Sequence, residues 1–145
     1  MTAVAPATMD ANKAMIIDFH QRLWGTGDHS AIDEYFLPDA VVHFSGFDGS
    51  AVQTVRDDAS RWWGAFADTR TTIQDILADG DRVIVRWDTS GLHMGQYGKV
   101  EPTNKTINMT GIDIFRIADG QVVECWSMWD GLDVFDQMGV LPDLW

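Results

Sequence analysis

Residues 105–129 read KTINMTGIDIFRIADGQVVECWSMW. From Lys105 to Ile117 and again from Gln121 to Trp129, β-branched and aromatic residues recur with period two, which marks half-buried strands. Ala118–Gly120 between them carries Asp119-Gly120, the signal of a tight hairpin. Alternation places Glu124, Trp126, Met128 and Asp130 on one side of the second strand, and Cys125, Ser127 and Trp129 on the other. It puts Asp113 in phase with Met109 and Phe115.

The same reading extends outward. Thr71–Leu77 and Arg82–His93 also alternate, joined through Ala78–Asp81, so the C-terminal half is a four-strand antiparallel meander. Gly95–Asn104 is a longer loop holding Pro102. Upstream the period changes to 3.6. Residues 11–24 form a helix, with Met15, Phe19 and Leu23 on one face and Gly25 and Gly27 ending it. A short helix runs from Ser30, an N-cap, to Phe36. Ala40–Phe44 is β-like and Gly46–Gly49 a turn. From Ser50, the residues Val52, Val55, Ala59, Trp62, Trp63 and Phe66 form one apolar stripe, while Arg56, Asp57, Asp58 and Arg61 form a solvated face. Gly131–Met138 is a short terminal helix, with Gly139 at its C-cap. Helices precede an antiparallel meander, so the expected class is α+β, with helices on one face of a curled sheet.

The chain has 145 residues, enough for one domain whose core buries about 70% of the unfolded surface. We expect residues 1–9 to be a tail and 10–145 a single domain. Met1–Met9 lacks the charged and apolar regions of a signal peptide. There are 22 acidic and 10 basic residues, for a net charge of -12. That balance makes nucleic acid and anionic membranes poor partners. No apolar run approaches a membrane span. Cys125 is the single cysteine, which excludes an internal disulfide and fits a cytoplasmic location. Seven Trp, seven Phe and seven Met concentrate in a few elements, as a core with a lined apolar pocket requires. Trp62, Trp63, Trp126, Met128 and Trp129 are the expected walls, although alternation forbids all of them from facing inward.

Several strings in order resemble the SnoaL-like polyketide cyclase (ester cyclase) branch of the nuclear-transport-factor-two-like superfamily. They are Pro38-Asp39-Ala40-Val41-Val42-His43, Gly80-Asp81-Arg82-Val83, Gly91-Leu92-His93-Met94-Gly95, Pro102-Thr103-Asn104, Phe115-Arg116-Ile117, Asp119-Gly120-Gln121-Val122-Val123-Glu124, and Trp126 through Asp130 to Gln137-Met138-Gly139. They span residues 11 to 140. The resemblance implies a cone-shaped, barrel-like sheet with helices on its concave face around one deep pocket, and a homodimer. It also implies varied chemistry: aldol cyclases, limonene epoxide hydrolase, scytalone dehydratase, ketosteroid isomerase, lyases and non-catalytic binding modules resemble one another in fold.

Candidate catalytic groups follow. In the resembling cyclases, and in limonene epoxide hydrolase, the acid on the last strand aligns with Ser127. A serine there departs from the pattern, and it would position a carbonyl or water as in scytalone dehydratase. Asp130 matches an acidic position of the branch and could equally cap the terminal helix. Asp113 lies in an apolar strand where related cyclases can hold a histidine. Desolvation there would raise its pKa and suit a general base. His43 and His93 match histidine positions of the branch and could shuttle protons, whereas His20 and His29 read as helix-surface and turn residues. Arg86-Trp87-Asp88 resembles the Arg-x-Asp of limonene epoxide hydrolase, with a surface ion pair as the alternative. No metal-ligand spacing and no phosphate loop are present. The expectation is an enzyme without cofactor or metal that performs intramolecular aldol-type ring closure on an apolar polycyclic or aromatic small molecule. The alternatives are a lyase, isomerase, dehydratase or epoxide hydrolase acting on a terpenoid or aromatic intermediate, and a small-molecule-binding module.

Overall fold

A computed structural model describes residues 3–44 and 46–143; Met1, Thr2, Ser45, Leu144 and Trp145 lie outside the described residues. In chain order the elements are α1 (Pro6–His20), a π-helical turn (Gln21–Gly25), α2 (Ser30–Tyr35), β1 (Phe36–Phe44), β2 (Phe47–Ser50), α3 (Ala51–Ala65), β3 (Phe66–Asp79), β4 (Arg82–His93), β5 (Thr106–Ala118), β6 (Gln121–Trp129) and α4 (Gly131–Gln137). The fold is α+β. The six strands make one sheet in the order β2-β1-β6-β5-β4-β3, which is not closed into a barrel.

The meander β3–β6 is antiparallel throughout, as expected. The sheet as a whole is mixed, because β1 runs parallel to β6. Alternation encodes which face a residue takes but not which strand it pairs with, so the parallel contact was invisible in sequence. The segment expected to be a turn, Gly46–Gly49, is mostly β2, folded back antiparallel on β1. α1 begins at Pro6, inside the segment expected to be a tail, with Pro at the helix start where its missing N–H costs nothing.

The hairpin turns follow local chemistry. Asp119 (φ 50°) and Gly120 (φ 74°) are both left-handed, the geometry of a two-residue turn whose twist matches the strands. α3 starts at Ser50, whose Oγ accepts from the Gln53 amide at 3.2 Å. At α2 the capping group is Asp28, which accepts from the Ser30 amide at 3.1 Å, while Ser30 itself is the first helical residue.

Two apolar clusters form on the inner face. Phe19 of α1, Phe36 of β1 and Phe115 of β5 meet with centroids 5.1–6.3 Å apart and close one end. Trp62, Phe66, Ile107, Met109, Val134 and Met138 pack at the other end. There, Gln137 of α4 bonds the backbone N–H (2.8 Å) and C=O (2.7 Å) of Asn108 and fixes α4 against β5. Between the clusters the helices stand off the sheet and leave a cavity.

Candidate functional site

The cavity holds about 700 Å³ of empty space, its open mouth included. Strands β3–β6 supply Thr71, Trp87, Thr89, Met109, Asp113, Ser127 and Trp129; β1 supplies Phe44. The helical side supplies His20 and Trp24 from α1 and the π-turn, and Asp58, Arg61 and Trp62 from α3, with Tyr97 from the β4–β5 loop.

Asp113 and Ser127 sit directly opposite each other on β5 and β6, both turned inward. Ser127 Oγ donates to Asp113 Oδ1 at 2.6 Å, and Trp87 Nε1 donates to Oδ2 at 2.8 Å. Burial pushes the Asp113 pKa up to about 6, against the two hydrogen bonds, which favour the ionised form. Each carboxylate oxygen keeps a lone pair for a further donor. Gly111 makes this arrangement possible. A Cβ at Gly111 would lie 2.3 Å from Trp87 Cζ2, so only glycine lets the indole lie flat over β5 and reach Asp113.

Trp62 and Trp129 line the cavity as expected. Trp62 stacks on Phe66 with centroids 4.1 Å apart. Trp63 does not border it. It turns toward the π-turn, where Nε1 donates to the Leu23 carbonyl at 3.0 Å. Trp126 and Met128 occupy the outer face, as their alternation with Ser127 and Trp129 requires.

The other expected catalytic residues are placed elsewhere. His43 lies on the outer face, stacked on Trp126 at 5.2 Å and bonded to Asp48 (2.5 Å) and Glu124 (2.6 Å). His93 is fully buried behind the cavity wall, stacked on Phe66 at 5.2 Å, and its Nδ1 accepts from the Thr103 amide at 3.3 Å. Burial lowers its pKa. It thus ties the β4–β5 loop to β4. Asp130 is exposed and caps α4, its Oδ1 accepting from the Asp133 amide at 3.0 Å. Arg86 bonds Asp75 at 2.6 Å and Asp88 accepts from Gln74 at 2.9 Å, so the Arg-x-Asp string forms ordinary surface pairs. Among the described residues no three His, Cys, Asp or Glu side chains converge as metal ligands do.

Sequence reasoning missed part of the wall. His20, expected at the surface, is buried against β3 with Nε2 2.7 Å from Thr71 Oγ1. Trp24 follows it by four residues, a helical spacing that could have linked them to one face. Asp58 and Arg61, expected on a solvated face, flank the cavity and pair at 2.7 Å. Burial raises the Asp58 pKa against the pull of Arg61.

The chain is similar in structure to AclR from Streptomyces galilaeus, a candidate hydroxylase, with 26% identity, TM-score 0.84, and 94% of this chain and 85% of that one covered. IdmH from Streptomyces antibioticus, a candidate polyketide cyclase, aligns at 27% identity and TM-score 0.72 over 89% of this chain and 99% of its own. A candidate SnoaL-like polyketide cyclase from Jannaschia sp. CCS1 shares the fold, with 20% identity and TM-score 0.83 over 98% and 100%. A comparison with curated proteins finds no match. Residues 14–138, nearly the whole described fold and every wall of the cavity, match the family described as SnoaL-like polyketide cyclase, and the chain belongs to that family.

Proposed function

We propose that the protein is an acid/base enzyme of polyketide cyclase type, acting on an apolar polycyclic or aromatic ketone, with Asp113 as its proton-transfer group. One observation carries this reading: a carboxylate at an aromatic cavity wall, held by two neutral donors and with its pKa pushed up to about 6. Near neutral pH the group is largely ionised, yet close enough to its pKa to both take and return a proton.

In the proposed step Asp113 removes a proton from the carbon alpha to a carbonyl. The carbanion, delocalised as an enolate, attacks a second carbonyl carbon of the same molecule and forms the ring C–C bond. The resulting alkoxide takes the proton back from Asp113, so the carboxylate is regenerated. Ser127 orients Asp113 instead of supplying the acid itself. The apolar walls hold the substrate folded, which contributes a large share of the rate.

Deuterium exchange at the alpha carbon of 2-tetralone, a small bicyclic ketone, tests the proton-removal step in D₂O by NMR. The wild type accelerates exchange, Asp113→Asn loses most of the acceleration, and Asp130→Asn and His43→Gln retain it. Equal exchange by wild type and Asp113→Asn would sink the assignment.

We also propose that the outer sheet face seats a second copy of the chain. Ile112 and Met128, paired across β5 and β6, are 46% and 62% exposed there, two large apolar side chains that a second copy would cover. Met128→Lys is expected to halve the mass measured by light scattering; an unchanged mass overturns the dimer.

A further inference from the structure

His20 ends α1 and is only 6% exposed, yet it borders the cavity. Its Nε2 lies 2.7 Å from Thr71 Oγ1. The Thr71 hydroxyl also lies 3.4 Å from the Asp88 carbonyl, which can only accept. We take the tautomer in which the Thr71 proton points to that carbonyl and His20 Nε2–H donates to the Thr71 oxygen, which leaves Nδ1 with its lone pair. Nδ1 has no hydrogen-bond partner among the described residues. Nor is it one of the sealed, unpartnered side-chain atoms, which are Trp62 Nε1 and His93 Nε2. Nδ1 therefore keeps some accessible surface, and on a side chain that is otherwise buried and borders the cavity, that surface opens to the cavity. Burial lowers the His20 pKa to about 4, so the ring remains a neutral acceptor near neutral pH.

We propose that His20 sets the cavity's specificity, its Nδ1 accepting a hydrogen bond from a hydroxyl on an apolar aromatic or polycyclic substrate. Thr71 is on β3 and Asp113 on β5, with β4 between them. Two strand spacings separate these strands by roughly 10 Å. The recognised hydroxyl and the reacting carbon thus lie at different ends of the same molecule. The apolar ring system rests on the cavity reading above. The hydroxyl contact does not require Asp113 to move a proton.

Calorimetric binding of 2-naphthol and of its methyl ether, 2-methoxynaphthalene, separates the two ideas. The two probes share a ring system, but only the first can donate. The wild type is expected to favour 2-naphthol by about threefold to tenfold, the range of one neutral hydrogen bond. His20→Phe should abolish that preference while still binding the ether. Asp113→Asn should keep the preference, even though it abolishes proton exchange. Thr71→Val, which frees the ring to turn and change tautomer, should reduce the preference, and it decides the matter if His20→Phe does not fold. No preference in the wild type, a preference retained in His20→Phe, or one unchanged in Thr71→Val overturns the proposal. Failure of the Asp113 reading would appear separately, as unchanged exchange in Asp113→Asn.

Discussion

Asp113 and Glu124 stand on neighbouring antiparallel strands and face opposite ways. Asp113 points into the cavity, where its partners, Ser127 and Trp87, are neutral. Glu124 lies on the outer face between His43 at 2.6 Å and Arg116 at 2.9 Å, both basic side chains. Burial raises the first carboxyl to about 6, while hydrogen bonds from His43 and Arg116 lower the second. The same chemical group is pushed toward its protonated form on one side of the sheet and toward its charged form on the other. Position relative to the pleat, which alternation decides, separates the site from the scaffold.

The comparison breaks most decisively at Asp113. Asp113→Asn should reduce exchange with 2-tetralone about 10²–10⁴-fold, the usual contribution of a positioned acid or base. The corresponding change outside, Glu124→Gln, should leave the rate within about twofold, because exposed ion pairs act weakly and locally. A comparable loss from both changes would show that the inner and outer carboxyls are not functionally distinct.

Next in size is the indole support. Gly111→Ala places a methyl against the Trp87 ring and should displace it from Asp113. Losing a donor to the carboxylate raises its pKa further, because the hydrogen bond favours the ionised form. The acid limb of the pH–rate profile should move to higher pH, with activity at neutral pH falling about tenfold, the scale of a hydrogen bond to a charged group. Ser127→Ala should shift the profile in the same direction. A lower rate with an unmoved limb would mean that these residues only shape the cavity.

Much of this was legible in the sequence. Period-two alternation in residues 105–129 correctly separated Ser127 and Trp129 from Trp126 and Met128, and it identified Asp113 as a carboxyl within an apolar strand. Desolvation supplied the direction of its pKa. What alternation could not supply was the partner. Trp87 reaches Asp113 only because β4 lies beside β5 and Gly111 has no side chain, both facts of register. The helical wall was misread for a related reason. Met15, Phe19 and Leu23 mark one stripe at a spacing of four, while His20 and Trp24, at the same spacing, mark a second that borders the cavity. His43 was a sound chemical candidate, and only the β1–β6 contact reveals that it serves the outer face.

Smallest in effect is the pH dependence of stability. His43 has a pKa raised by Asp48 and then Glu124. Its contribution is full below the ordinary histidine value and is lost as pH rises through the raised one. Asp113 is also held above its unfolded value, so the folded state binds its proton more tightly, and stability falls as pH climbs from about 4 toward 6. Buried His20, held down to about 4, works in the opposite sense over the same acidic window. Relative to the wild type, Asp113→Asn should therefore raise thermal midpoints progressively as pH climbs from about 4 to 6, and His43→Gln should flatten the decline above about pH 6.5. Differences from the wild type that do not vary with pH would place the responsible groups elsewhere.

The most direct measurement is the titration of Asp113 itself, followed by carboxyl carbon NMR and assigned by its absence in Asp113→Asn. A midpoint near 6, moving upward in Ser127→Ala, is the predicted result. A midpoint at or below the ordinary aspartate value of about 3.9 would mean that the carboxyl is not desolvated by the cavity, and it would contradict the assignment of Asp113 as the proton-transfer group.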